Sequence, residues 1–501
     1  MTRSLFGRWF KKRSRGAQSP WDRAVPLLQW SDVDPWTIGD AVEGTLVFGA
    51  TGSGKTSGSG RAIATSMLRR KFGGLVLTAK SDECQTWLRY ARECGREDDV
   101  VVFGVESPWT FNPIDFELRR AGVGAGLTEN IVQMIGTILE VGDRGSGSGR
   151  ENDGYWRKAS QQLCRNLVDL LAIAKGRITT PDIYRLAVSA PTSLEQVRSD
   201  EWRSKSFCWH CLGEGLKREK TPRQASDFEL VADYFLREFP ALADKTRSVV
   251  VSTLSSTIDV LNRGALRELF CGDTNLTPQA AEEGKIIIVD LAVKEFGEVG
   301  QFAQVLWKYA FQRSIERRVV TPETRPVFLW ADEMQNFVTS YDMQFQTTCR
   351  GARVATVLLT QNVSNVYAAL GGGEKGRAEA ASLFANLNTK IFHAQTDPVT
   401  NEWAASIVGR SLQQFGNASS SSTPEERMNG ALGMRWLTHP GNTSAGFSES
   451  YDFEVQPAVF TQLRTGGRAN AGIVDAIVVQ NGRTFESTGK SWTQATFRQD
   501  L

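Results

Sequence analysis

The sequence predicts an α/β fold: a mostly parallel sheet interrupted by an all-α insertion. Three observations carry this. Short apolar runs alternate with helix-length segments, as in strand–helix–strand units of a parallel sheet. One run, Thr45-Leu46-Val47-Phe48, passes straight into Gly49-Ala50-Thr51-Gly52-Ser53-Gly54-Lys55-Thr56, which meets the pattern G-x-x-x-x-G-K-[ST] at each fixed position. Between about residues 120 and 245 the strand signals vanish and apolar residues recur only at helical spacing.

Composition narrows the class. A chain of 501 residues is too long for one ordinary core, so more than one domain is expected. Apolar residues at 41% and charged residues at 23% describe a soluble globular protein. A net charge of +2 leaves any nucleic-acid contact to local patches. Seven cysteines with one close pair argue against a disulfide framework. The longest clean apolar run, Ile286-Ile287-Ile288-Val289, is far shorter than a membrane span of roughly 18–20 residues. The expected location is the cytoplasm, with peripheral attachment to the inner face of the cell membrane as a further possibility. Residues 1–16 bear on that point: they carry six Lys or Arg, no acid, and Phe6, Trp9 and Phe10. As a helix this segment suits an anionic membrane surface or nucleic acid; as a coil it is a solvated arm.

The elements follow in order. Ser57–Arg70 reads as a helix whose positive N-terminal end faces the phosphate loop. Gly73–Thr78 and Asp98–Phe103 read as strands, and Phe111-Asn112-Pro113 breaks the pattern. In the helical stretch, Ile131, Val132, Ile135, Ile138 and Leu139 form one apolar stripe. Trp156, Ala159, Leu163, Leu167, Leu170 and Leu171 form another, and the glycine-rich Gly142–Arg150 lies between them as a loop. A helix with Val251, Leu254, Ile258 and Leu261 leads back to strands at Lys285–Asp290, Pro326–Ala331, Val354–Thr360 and Asn386–His393. Ser-rich 418–422 reads as a loop, 470–485 as a strand or hairpin, and the segment after 488 as a featureless tail. The expected division is a basic arm and linker (1–40), a nucleotide-binding domain in two parts (41–120 and 246–487), an all-α insertion (121–245) and a tail (488–501).

The candidate chemistry follows from residue types. Glycines let backbone amides close around an anion, Lys55 reaches phosphate oxygens, and the Thr56 hydroxyl suits Mg²⁺. Together these predict a nucleoside-triphosphate site. Pro326–Ala331 ends in Asp332-Glu333, with Asp332 placed for the metal and Glu333 for the attacking water. Gln361, at the tip of another strand, is placed to sense phosphate or position water. Arg350 and Arg353 lie at a helix-to-strand connection, where an arginine can serve a neighbouring subunit's nucleotide. Cys208-Trp209-His210-Cys211 allows a zinc half-site, a redox pair or packed thiols; packing is favoured, because no second Cys/His pair follows. His393 and His439 read as structural.

With these residues assembled, the chain resembles the type IV coupling proteins, the TraG/TraD-type ATPases of conjugation and type IV secretion. The likeness spans about residues 40 to 480. It rests on GATGSGKT; Lys80, Asp82 and Glu83; Phe-Asn-Pro at 111–113; Asn152–Trp156; Thr246-Arg247-Ser248; LWADE; and the Arg-Gly…Thr-Gln arrangement of 350–361. The resemblance implies a RecA-like ATPase that uses ATP and Mg²⁺ and assembles as a ring hexamer. Such a protein moves relaxase-bound single-stranded DNA toward a secretion channel, with relaxosome and channel proteins as partners. It implies Gln361 as sensor and Arg350 as the trans-acting arginine, ahead of Arg353. The chain departs from the family in lacking the usual N-terminal transmembrane helices. It also reads Thr-Ala-Lys-Ser-Asp-Glu where Asp-Pro-Lys-Gly-Glu is usual, which leaves the role of Lys80 open. A duplex-DNA pump nearer the FtsK/HerA group and an ATP-gated cargo adaptor are the alternatives.

Overall fold

The computed structural model describes residues 19–144, 153–420 and 443–499. Its strands, in chain order, are β1 (Pro26–Gln29), β2 (Pro35–Thr37), β3 (Thr45–Phe48), β4 (Gly73–Leu77), β5 (Val100–Gly104), β6 (Ile286–Asp290) and β7 (Val327–Ala331). There follow β8 (Val354–Thr360), β9 (Thr389–Phe392), β10 (Arg410–Ser420), β11 (Thr443–Phe453), β12 (Ile473–Gln480) and β13 (Trp492–Arg498). A nine-stranded sheet has the order β13-β12-β9-β3-β8-β7-β4-β6-β5, and every pairing from β9 to β5 is parallel. β12 runs antiparallel to β9, and the edge strand β13 runs antiparallel to β12.

The parallel strands are apolar along most of their length because both faces of the sheet are covered. Leu46, Phe48, Leu75, Leu77, Ile287 and Val289 point into one core, while Val47, Val76, Ile286 and Ile288 point into the other. That alternation is the two-residue repeat of a strand read against two buried faces.

Between β5 and β6 the chain is helical. Asn112 explains the Phe-Asn-Pro segment: its side chain accepts from the Asp115 amide as an N-cap, donates to the Ile178 carbonyl at 3.0 Å, and leaves Pro113 in the first turn. Helix Asp244–Leu261 buries Val250, Leu254 and Ile258 in the same core as the helices before it, and Gly264–Phe270 follows. The helical stretch therefore runs on to Phe270 rather than ending at 245. It is rooted on the long helix Val293–Glu316 through Trp307, whose ring lies 5.0 Å from Phe103 and 4.4 Å from Phe111.

Further expectations change. Helix Thr128–Arg144 continues through the start of the expected loop at 142–150. Residues 418–420, read as loop, end β10, which pairs antiparallel with β11 from Arg410↔Phe453 to Ser420↔Thr443. This ribbon forms its own two-stranded sheet, and Leu412 and Tyr451 face each other across it while exposed, so no apolar alternation announces it. The expected tail contains β13, whose Thr493, Ala495 and Phe497 turn inward and whose intervening residues are exposed. Small inward residues hide such an edge strand from a hydrophobicity reading. The basic segment 1–16, residues 145–152, and 421–442 with His439 lie outside the described residues. Among the described residues no helix is long and apolar enough to cross a membrane.

The start of the described chain is bound to its end. The β1–β2 hairpin buries Trp30 and Trp36, and Trp30 meets Phe497 of β13 at 6.3 Å. Asp34 clips the junction, accepting from the Glu486 amide at 2.7 Å, the Ser487 amide at 3.2 Å and the Ser31 hydroxyl at 2.6 Å. Burial alone raises its pKa, but these donors outweigh burial and bring it down to about 2. Asp34→Ala is expected to cost about 2–3 kcal/mol at neutral pH in urea unfolding. Because the folded pKa lies below the ordinary value of 3.8, that contribution is complete above about pH 4 and is lost as pH falls toward 2. The gap between wild type and variant should therefore be wider at pH 5 than at pH 3; an equal or wider gap at pH 3 would contradict the assignment.

Candidate active site

The sheet order brings the candidate residues together. In the run β3-β8-β7-β4, the loop after β3 carries Lys55 and Thr56, β8 ends beside Gln361, β7 runs into Asp332-Glu333, and β4 leads to Lys80. All these strands are parallel, so the residues gather at one edge, outside the carboxyl ends where open α/β sheets bind ligands.

The loop itself is tightly held. The Gly49 amide donates to Thr360 O at 3.3 Å and the Ala50 amide to Ala394 O at 3.0 Å. Gly54 has φ of +84°, and a Cβ there would lie 2.6 Å from Val474 of β12, so both backbone and space require glycine. The following helix opens with a π turn over Thr56–Gly60, closed by the Gly60 amide on Lys55 O at 2.8 Å, and continues as Arg61–Arg69.

Opposite the loop, Thr56 Oγ1 donates to Asp332 Oδ2 at 2.7 Å. Lys55 Nζ lies 3.4 Å from Glu333 Oε1 and 3.9 Å from Asp332 Oδ1. Glu333 is 4% exposed and has φ of +52°. Its carboxylate also accepts from Gln361 Nε2 at 3.1 Å, Gln335 Nε2 at 2.9 Å and Lys80 Nζ at 3.4 Å. Burial pushes its pKa up, but Lys55, the two glutamine amides and Lys80 prevail and hold it at about 2. Glu333 is therefore ionised at neutral pH. Ser53 Oγ is buried with no partner among the described residues, inside the loop that a phosphate would occupy. With an ammonium, a hydroxyl and two carboxylates converging there, the donor set fits a nucleoside triphosphate with a divalent cation.

Lys80, Glu83 and Gln335 escape a sequence reading as site residues. The sequence sets Lys80 and Glu83 apart only as part of the family likeness; the adjacency of β4 to β7 brings them into the site. Glu83 is buried near Asp332, and burial first and the Asp332 charge second push its carboxyl up to about 8. The structure does not bring Arg350 to its own chain's site. It precedes β8 at the opposite edge, roughly 20 Å of strand from Gln361, and pairs with Glu43 at 2.9 Å. Arg353, with φ of +54°, donates to the carbonyls of Trp21, Pro322 and Thr324 and supports the fold. Cys208 and Cys211 are free, buried thiols of helix Phe207–Lys217 whose pKa values burial raises.

Residues 326–444 match the family model described as the TraM recognition site of TraD and TraG, a stretch that holds Asp332, Glu333, Arg350 and Gln361. No curated protein matches the sequence. Among solved structures, the unbound monoclinic form of the bacterial conjugative coupling protein TrwBdeltaN70 superposes with a TM-score of 0.61 at 14% identity, covering 96% of this chain and 89% of that one. The chain shares the fold of TrwB. TrwB in complex with ADP and Mg²⁺ gives a TM-score of 0.56 at 14% identity, covering 93% of this chain and 88% of that one. TrwB with the non-hydrolysable ATP analogue ADPNP gives 0.55 at the same identity and coverage. The mostly parallel α/β architecture interrupted by helices, expected from the sequence, is thus the observed one.

Behind the loop, His393 is fully buried, with Nε2 2.7 Å from Ser59 Oγ and Nδ1 3.0 Å from Asp475 O. A carbonyl only accepts, so Nδ1 carries the proton and Nε2 receives the Ser59 hydroxyl. Burial lowers its pKa to about 4, with the Lys55 charge acting in the same direction. The folded value lies below the ordinary 6.5, so protonation favours the unfolded chain; the stabilisation is complete above about pH 6.5 and lost as pH falls toward 4. His393→Asn should lower stability by about 1–2 kcal/mol at pH 7.5, and the gap from wild type should narrow by pH 4.5 in denaturant melts. A gap independent of pH would contradict a neutral buried His393.

Proposed function

We propose that this chain is an ATP-hydrolysing DNA translocase of the coupling-protein kind, handing relaxase-bound single-stranded DNA to a conjugation or type IV secretion channel. The observation that carries the reading is the convergence of Lys55, Thr56, Asp332, Glu333 and Gln361 at adjacent strand tips. Lys55 and the loop Gly49–Thr56 hold the phosphates, and Thr56 and Asp332 hold Mg²⁺. The chemistry that Mg²⁺ supplies when bound is neutralisation of charge on the phosphate oxygens. Glu333, kept ionised, takes the proton of the attacking water, and Gln361 orients the carboxylate through its amide. Lys55 turns from Glu333 to phosphate when nucleotide enters, which frees the carboxylate for that proton.

The shared fold with TrwB, solved with ADP and Mg²⁺ and with ADPNP, supports the nucleotide assignment. The match to the TraM recognition site of TraD and TraG supports a relaxosome protein as partner. The position of Arg350, exposed and away from its own chain's site, suits service to a neighbour's nucleotide in a homohexameric ring. Attachment at the inner face of the cell membrane would be peripheral or through a partner.

Steady-state ATP hydrolysis with no DNA, single-stranded DNA and duplex DNA tests the reading. Single strands are expected to stimulate wild-type turnover, and Glu333→Gln to retain ATP binding while turnover drops about 10²–10⁴-fold. Stimulation by duplex alone would point to a duplex pump, and turnover indifferent to DNA would overturn the translocase. Unchanged turnover in Glu333→Gln would remove Glu333 as the base.

A further inference from the structure

Helix Asp82–Glu93 begins just beyond β4, and its second residue, Glu83, is 9% exposed. The Ala79 amide donates to Oε2 at 2.7 Å and fixes the carboxyl group, whereas Oε1 is buried and has no partner among the described residues. Beside it is a cavity of about 20 Å³ lined by Thr56, Asp332, Glu83, Thr86, Trp87, Tyr90 and Trp330. A buried carboxyl oxygen without a partner costs on the order of 1–3 kcal/mol, so its presence here calls for a group it can bond to. The space suits one water, which needs roughly 10–15 Å³. Thr56 and Asp332, the residues placed to hold the cation, stand on one side of that space, and Thr86, Tyr90 and the two indoles complete it.

We infer that Glu83 is a positioning residue for the divalent cation at Thr56 and Asp332, acting through one water held in this cavity. This rests on the nucleotide-site reading above and deepens it. A hard divalent cation of the magnesium type keeps several of its waters when it binds, so a site needs oxygen acceptors for those waters as well as direct ligands. Asp332 and Thr56 are engaged with each other at 2.7 Å, and Glu333 is engaged by the lysines and glutamines. Glu83 Oε1 is the acceptor that the described chain leaves over on the Asp332 side. An acid that merely opened the helix would need only the Ala79 contact and would have no bearing on cation binding.

The test uses the full chain with ADPNP and Mn²⁺ as the probe, free Mn²⁺ being read by electron paramagnetic resonance. Glu83→Gln replaces the carboxyl group by an amide at constant size; Thr86→Leu leaves Glu83 in place and fills the cavity. Each is expected to weaken Mn²⁺ binding about tenfold or more, while ADPNP binding in the presence of chelator stays within about twofold of wild type. Mn²⁺ affinity within about twofold of wild type in both variants would overturn the inference. If Glu83→Gln does not fold, Thr86→Leu decides by the same criterion. Failure of the wild type itself to take up Mn²⁺ with ADPNP would instead overturn the nucleotide-site reading beneath it.

Discussion

A carboxylate buried at the tip of a fully buried strand is the constraint on which the rest of this structure turns. Glu333 has almost no contact with solvent, and an ion so placed persists only where cations and donors surround it. Lys55, Lys80, Gln335 and Gln361 do this, and each comes from a different place in the chain. Loss of one partner of such a buried pair costs roughly 3–5 kcal/mol, so the cluster holds the loop, the β7 turn and the β8 tip in a fixed relation. The same arrangement keeps a base ionised and a lysine within reach of phosphate. Stability and chemistry therefore make the same demand on these residues.

The order β3-β8-β7-β4 answers that demand, since parallel strands deliver their tips to one edge. The helical stretch is tied to the same edge by helix Val293–Glu316. Gln304 on that helix accepts from the amide of Thr78, two residues before Lys80, at 2.8 Å and donates to Leu291 O at 3.0 Å. One turn along, Trp307 packs into the aromatic cluster of Phe103 and Phe111. A single element thus spans the β4 tip and the root of the helical block, and His393 links the loop helix to β12 on the other side.

Much of this was legible in the sequence, for identifiable reasons. Strands covered on both faces announce themselves as unbroken apolar runs, which is why Thr45–Phe48, Ile286–Asp290 and Val354–Thr360 stand out. The loop glycines and Asp332-Glu333 carry their chemistry in residue type. Strand order is not written in any local pattern, and so Lys80 and Glu83 became site residues only when β4 proved to lie beside β7. Strands that bury one face with small residues also escape: Thr493 and Ala495 of β13 carry little apolar signal, and among the described residues β10 pairs with β11 alone. Helix Asp244–Leu261 was legible as a helix, but not as part of the block it packs in, because that depends on which neighbours share its apolar face.

The central claim is that the Lys55–Glu333 pair and the Thr56–Asp332 contact mark the seat of a nucleoside triphosphate and its cation. A crystal structure of the Glu333→Gln chain with ATP and Mn²⁺, read by anomalous scattering, tests it most directly. The account predicts the Mn²⁺ peak between Thr56 Oγ1 and the Asp332 carboxylate, with Lys55 Nζ turned from residue 333 to phosphate. A Mn²⁺ peak or nucleotide bound elsewhere, with the Thr56–Asp332 contact intact, would contradict it.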